Sequence, residues 1–287
     1  MTKTLILFLL LPLSSILFAQ NGVMVYHPSA DQMMDPNNPP ISYVLNDSSP
    51  VRSCPGSKCK RLATLTIGTK IKVLKRSEST LEIKGIKSAW YKISSPETEG
   101  WIWGGNLARG KFGSYADPNV KFIAGYSWSS DTTPRVYQII ALHKGNFLDS
   151  IHVKCFGHEF GEIRNYGSLG LKIDDVIQLD VPCVGGCGCS AGSSFVFWDN
   201  KAFQTVKHLM GSADADYSSE VYYIFPADME GIPHTVIEVS SYPWDEDPYN
   251  SEYFYRVQER RNLIWLGNDL VPTGKPTIIK NKISRGH

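Results

Sequence analysis

Apolar residues in this chain recur with a period of two, in short runs closed by turn residues, and that pattern restricts the fold more than any other feature. The runs include Ala63-Thr-Leu-Thr-Ile67, Lys70-Ile-Lys-Val-Leu74, Trp90-Tyr-Lys-Ile93 and Gly100-Trp-Ile-Trp103. They continue through Val120-Lys-Phe-Ile123, Val136 to Leu142, Val176 to Val181, Phe195-Val-Phe-Trp198, Val221 to Phe225, Thr235 to Val239 and Tyr253 to Val257. Side chains alternate across a strand, so this spacing reads as half-buried strands. No segment carries long helical periodicity, and the 24 glycines and 17 prolines in 287 residues supply many turns. The expected class is all-β. A globular share of apolar residues, 42%, excludes a disordered or collagen-like chain.

Charge divides the chain. The whole carries a formal +1, which is no signature of a polyanion-binding protein, so no nucleic-acid partner is expected. Residues 41–110 hold 12 Lys/Arg against 5 Asp/Glu, a balance of +7, and residues 111–287 hold 16 against 21, a balance of −5. Residues 20–40 show no strong periodicity, and Asp35-Pro-Asn-Asn-Pro-Pro40 reads as a linker. We therefore expect a linker over 20–40, a small β-barrel over 41–110 and a larger antiparallel β domain, a sandwich or propeller-like sheet, over 111–287.

The first of these units resembles a known family. It carries Val51-Arg52-Ser53, Pro55-Gly56, Leu65-Thr-Ile-Gly68-Thr-Lys-Ile71-Lys-Val73-Leu74, Trp90-Tyr91-Lys92-Ile93, Gly100-Trp101-Ile102 and Asn106-Leu107. In order and spacing this is similar to the bacterial SH3 (SH3b) domain. The resemblance implies a small barrel that serves as a binding module, often for cell-wall peptides. Two departures stand out: Cys54 and Cys59 bracket a loop that is usually small and polar, and the loop after Leu74 is long. Trp90 and Trp101 read as core aromatics.

An apolar stretch, Leu5 to Phe18, follows a short basic start and precedes Ala19, which describes a secretory leader over residues 1–19. At 14 residues, interrupted by Pro12, Ser14 and Ser15, the stretch is short of the ~20 a spanning helix needs. The expected address is periplasmic or secreted, with no transmembrane segment after cleavage. In an oxidising compartment six cysteines imply disulfides. Cys54 and Cys59 are close together and far from the others, so we expect them to pair. Cys155, Cys183, Cys187 and Cys189 would make two further bridges, in any of three pairings.

In the larger unit three segments read alike, each an apolar arm, a polar turn and an apolar return: Ile140 to Phe147, Phe197 to Phe203 and Val257 to Leu263. Intervals of 56 and 60 residues suggest a repeated β-sheet unit, although three units are few for a closed propeller. Gln204 to Met210 fits either a short helical turn or the second arm of a hairpin.

Several constellations carry candidate chemistry. Cys183, Cys187 and Cys189 stand within seven residues, but a thiolate metal site needs reduced thiols, so disulfides are expected and no metal or cofactor. Gly188-Cys-Ser-Ala-Gly192 matches G-x-S-x-G, yet the strand-like Ser193 to Trp198 stands where the nucleophile elbow requires a helix. A papain-like reading takes Cys189 as nucleophile and His234 as base, as in cell-wall endopeptidases that carry SH3b domains. It too lacks the helix that lowers the thiol pKa. His152 and His158 flank Cys155 beside Glu159, and Ala213-Asp-Ala-Asp216 and Trp244-Asp-Glu-Asp-Pro248 are acidic loops without a full calcium ligand series. Tyr242, Trp244, Tyr249, Tyr253, Phe254 and Tyr255 form an aromatic stretch suited to a core or a groove.

The reading that results is an exported, non-catalytic binding protein that recognises a cell-envelope ligand, a peptidoglycan peptide or another protein. Arg52, Lys58, Lys60, Arg61 and Trp103 are the expected binding residues. The alternatives are an endopeptidase or amidase using Cys189 and His234, and a protein–protein assembly or inhibitor protein.

Overall fold

A computed structural model describes residues 40–130, 133–155, 161–181, 189–199, 201–213, 218–245 and 252–284. The expected leader, nearly all of the linker, and Cys183 and Cys187 lie outside the described residues. Among those described there are strands, one short 3-10 turn at Gly104–Asn106 and no α-helix. No helix there is long and apolar enough to cross a membrane. The all-β class expected from the alternation is the class observed.

The N-terminal barrel contains β1 (Ile41–Tyr43), β2 (Ser49–Arg52), β3 (Arg61–Leu65), β4 (Lys70–Ile83), β5 (Ile86–Ser94) and β6 (Glu99–Trp103). They form one antiparallel sheet in the order β1-β4-β5-β6-β2-β3. Alternation decides which side faces in: Ile71 and Val73 are buried while Lys70, Lys72 and Leu74 are exposed. Val44, Val51, Leu65, Ile71, Val73, Tyr91, Ile93 and Ile102 make the barrel core. The long loop expected after Leu74 is instead strand. β4 runs on to Ile83, with irregular register between Val73 and Lys75 and between Arg76 and Thr80. Such bulges let a strand keep pairing while it bends.

Three antiparallel meanders follow. The first contains β7 (Gly110–Gly113), β8 (Val120–Ser130), β9 (Thr133–His143) and β10 (Asn146–Cys155). The second contains β11 (Ile163–Asn165), β12 (Asp175–Val181), β13 (Cys189–Asp199) and β14 (Ala202–Ala213). The third contains β15 (Glu220–Ile224), β16 (Val236–Trp244), β17 (Tyr253–Trp265) and β18 (Leu270–Pro272), with β19 (Thr277–Ser284) also paired to β17. Each opens with a short strand and continues into longer ones. Two of the three expected hairpins mark this repeat. Ile140 to Phe147 turns at Lys144 and Gly145, both at positive φ, and Phe197 to Phe203 joins β13 to β14. Gln204 to Met210 is thus a hairpin arm.

The third expected hairpin is absent. Val257 to Leu263 lies inside the unbroken strand β17. Its polar residues are satisfied across the sheet rather than in a turn. Tyr242 donates to Glu259 at 3.0 Å, and Arg261 pairs with Glu238 at 3.6 Å. Arg260 reaches Glu230 at 3.2 Å. No residue of the segment has the positive φ that a tight hairpin turn requires.

The meanders stack, and the middle sheets bury both faces. In β13, Val196 and Trp198 join the cluster shared with the first meander, whereas Phe195 and Phe197 join the cluster shared with the third. This is why Phe195-Val-Phe-Trp198 is apolar without interruption. Trp198 meets Phe122 edge-on at 5.3 Å and Phe203 at 4.7 Å, and Phe197 stacks on Trp265 at 5.0 Å. In the first meander, Phe122 and Ala124 face the second, while Ile123, Ile140 and Leu142 pack on Tyr43 and Leu45 beside the barrel. Gly68 seats the barrel there. At φ +79°, a Cβ would lie 2.9 Å from the Gly145 carbonyl and 3.0 Å from Leu142, a position for glycine. The order of layers is barrel, first, second and third meander.

Asp175, fully buried, ties two layers together. It accepts hydrogen bonds from the Ser114 hydroxyl at 2.5 Å, the Tyr115 amide at 2.8 Å and the Asn165 amide side chain at 2.8 Å. Trp198 lies at the centre of the same interface. Trp198→Ala should cost about 3–5 kcal/mol, as truncating a fully buried aromatic does, and should appear as a lowered urea midpoint with an unchanged slope.

Candidate functional site

The barrel carries a groove of about 380 Å3 on the side where the β4–β5 hairpin extends past the sheet. Arg52 of β2, Ser57 of the following loop, Trp90 of β5, Trp103 of β6, Asn46, and Leu81 with Ile83 of β4 line it. Trp90 and Trp103 are directly paired across β5 and β6. Both are almost wholly buried, and Trp103 donates its indole N–H to the Leu81 carbonyl at 2.9 Å. The tryptophans thus form a rigid floor, and the indole hydrogen bond fixes the overhanging hairpin to it. A Cβ on Gly105 would run into the Trp103 ring, so that position cannot carry a side chain without displacing the floor.

Arg52 supplies the charge. Its Nη1 donates to the Cys59 carbonyl at 2.7 Å, while its Nε is buried with no hydrogen-bond partner. Cys59 is bonded to Cys54, with Cα atoms 5.6 Å apart. The disulfide therefore staples the loop whose carbonyl positions the guanidinium. Asn46 holds the far rim, donating to Asn106 Oδ1 at 3.3 Å and to the Gly105 carbonyl at 3.4 Å.

Of the five residues expected to bind, Arg52 and Trp103 come together in this groove. Lys58, Lys60 and Arg61 do not line it. They are exposed on the stapled loop and the start of β3, where Arg61 is the cross-strand partner of Arg52. Asn46, Ser57, Leu81 and Ile83 were not foreseen. The sequence signals for the Leu81–Ile86 wall are the alternation of Leu81-Glu-Ile-Lys84 and the excess length after Leu74.

The alternative nucleophile pair is not assembled. Cys189 opens β13, and strand follows it where the papain-like arrangement has a helix. Cys189 pairs with Ala213, next to the Ser212–Ser219 bridge that precedes β15. His234 is exposed, at φ +61°, in the connection that follows the other end of β15. Five strand residues at ~3.4 Å each separate these ends, well beyond hydrogen-bond reach. Ser190 of the G-x-S-x-G match lies in the same strand. A serine–histidine contact does exist, Ser194 Oγ to His208 Nδ1 at 2.8 Å. Burial and then Lys154 push the His208 pKa down, yet Ser194 is fully buried and cannot meet a substrate.

The remaining candidates disperse. His152 contacts the Ser127 hydroxyl at 3.2 Å, and His158 and Glu159 lie outside the described residues. So does most of both acidic loops. Among the described residues no group of His, Cys, Asp and Glu could hold a metal. Of the aromatic stretch, Tyr249 lies outside the described residues, and the rest packs on the sheet surface. Trp244 meets Tyr255 at 5.8 Å, Tyr253 meets Tyr255 at 5.8 Å, and Lys280 and Lys282 lie over the rings of Trp244 and Tyr253.

Comparison with protein families bears on the same barrel. Residues 47–108 match the bacterial SH3 domain, a span of 62 residues that includes every strand of the barrel from β2 to β6. Such a domain points to a module that binds cell-wall components or proteins. No curated protein and no solved structure matches the chain. Removing the staple with the double substitution Cys54→Ser and Cys59→Ser should cost about 2 kcal/mol, the loop entropy of a short bridge. Thermal unfolding of the double variant against the parent measures it.

Proposed function

We propose that the protein is an exported binding protein without catalytic activity, and that its barrel, residues 41–110, holds a carboxylate-bearing peptide of the cell wall in the Arg52–Trp103 groove. Residues 111–287 serve as the folded body that carries it. The observation behind this reading is the Arg52 guanidinium. One nitrogen is anchored to the stapled loop, and Nε is buried without a partner. A guanidinium anchored in this way is held at the groove wall, and a carboxylate is the ligand group that pairs with its terminal N–H groups in the best geometry. The two tryptophans supply apolar area beneath.

Charge supports the assignment. Lys58, Lys60 and Arg61 beside the groove and the +7 balance of residues 41–110 raise the local positive potential, which speeds encounter with an anionic wall fragment. Export is supported by the leader-like N-terminus and by the Cys54–Cys59 bridge, a bond at home in oxidising compartments. Two further bridges among Cys155, Cys183, Cys187 and Cys189 belong to the same reading.

Isothermal titration of the mature chain with a muropeptide stem peptide, and retention on purified sacculi, test it. Arg52→Ala should weaken binding about 10- to 100-fold, the loss of one charged hydrogen bond. Lys58→Ala and Lys60→Ala should cost only a few-fold and mainly at low salt. No binding to stem peptide or sacculi, or equal binding by Arg52→Ala, would overturn the proposal. Selective capture of an envelope protein by the wild-type chain, with no retention on sacculi, would instead identify a protein-assembly role.

A further inference from the structure

A second cavity lies far from the barrel, between the second and third meanders. It has a volume of about 240 Å3 and is bounded by Gln178, Ser193 and Phe195 of the second meander, Leu209 of β14, and Val221 and Tyr223 of β15. Alternation explains why it is unusual. On β12 and β13 the side chains directed at the third meander are Val176, Gln178 and Asp180, and Ser193, Phe195 and Phe197. Val176, Phe195 and Phe197 pack as that interface requires. Gln178, Asp180 and Ser193 occupy the next positions of the same pattern, where the sheet buries apolar residues elsewhere.

These three polar groups are organised. Gln178 Nε2 donates to Asp180 Oδ1 at 2.6 Å and to Ser193 Oγ at 2.8 Å, and Ser193 Oγ donates to the same Asp180 Oδ1 at 2.9 Å. Both donors converge on one carboxylate oxygen of Asp180, which does not itself line the cavity but orients Gln178 and Ser193, which do. Opposite stands Tyr223, nearly buried, whose phenol burial holds protonated. Phe195 and Leu209 form an apolar wall. A rule broken by three mutually bonded residues, two of which line a cavity, is the pattern of a site rather than of a packing layer.

We propose that this cavity binds a single uncharged sugar ring, independently of the barrel groove. The chemistry fits. With their N–H and O–H groups spent on one another and on Asp180, Gln178 and Ser193 present oxygens that accept from ring hydroxyls, and the protonated Tyr223 phenol can donate to one. An aromatic and an aliphatic side chain cover the apolar face of the ring. The volume falls below the ~300–1,000 Å3 of drug-sized pockets, which favours one ring over an oligosaccharide.

The test is a nitrogen-15 NMR titration of the full mature chain with the methyl glycosides of glucose and of N-acetylglucosamine. Saturable shifts should appear for amides around Gln178, Ser193 and Tyr223. Asp180→Asn, which keeps shape and removes the charge that orients Gln178 and Ser193, should weaken binding at least 10-fold, and Ser193→Ala, which deletes the hydroxyl at the cavity, should do the same. Val221→Phe, which fills the cavity from β15, should abolish the shifts, and Arg52→Ala should leave them unchanged. Absence of shifts up to the solubility limit of both sugars would overturn the proposal. So would shifts that persist in the Ser193→Ala and Val221→Phe variants, or shifts produced by methylammonium and not by the sugars.

Discussion

Two-sided burial of the middle sheets is the constraint on which the rest of this structure depends. A strand such as β13 has no solvent face. Val196 and Trp198 look to one neighbour while Phe195 and Phe197 look to the other. Once both faces must be covered, each of the two middle meanders needs a layer on either side, and the chain meets that need in sequence order. The barrel covers the first meander, the first covers the second, and the second covers the third. Asp175 reinforces the arrangement with polar contacts that span two layers and leave its carboxylate satisfied. Burial supplies the attraction between layers, and this hydrogen-bonded carboxylate adds register.

The same constraint explains where binding chemistry can reside. Within the stack, apolar layers leave no room for a ligand. Openings occur where a layer falls short of its neighbour. The β4–β5 hairpin overruns the barrel and creates a groove over Trp90 and Trp103. The short strand β15 meets the wider second meander and leaves a wedge at Gln178 and Ser193. Neither opening requires a mobile loop. Both are set by differences in strand length between elements that are themselves rigid.

Much of the architecture was legible from alternation alone. Ile71 and Val73, alternating with the exposed Lys70, Lys72 and Leu74, and the uninterrupted Phe195 to Trp198, show their burial in their spelling. The barrel was legible through glycine and tryptophan positions that its geometry demands. Reading failed where tertiary neighbours supply what local chemistry lacks. Gln258 to Arg261 resembled a turn because they are polar, yet Glu238 and Tyr242 satisfy their charges across strands. Lys75 to Thr80 resembled loop because bulges, invisible in composition, carry β4 onward to the alternating Leu81 to Ile83. Trp101 and Trp103 are two residues apart on one strand face, but only Trp103 has the Leu81 carbonyl within reach of its indole. The Cys54–Cys59 pair was foreseen from proximity, whereas the anchoring of Arg52 by the Cys59 carbonyl depends on how the stapled loop folds back.

The linear order of layers has a consequence for how the chain comes to be folded. Every meander completes its own hydrogen bonding from consecutive strands, and every interface joins units adjacent in the sequence. Among the described strands, none that emerges late is needed to close a sheet made early, as the last blade of a closed propeller would be. Folding can therefore proceed in the order of synthesis, barrel first, each new sheet condensing on a surface already formed. The stack has two different ends as a result. One is the barrel, presented as soon as it exists. The other is β19, whose residues are all exposed and whose lysines Lys280 and Lys282 lie over aromatic rings. Those charges also guard the final edge against adding another strand.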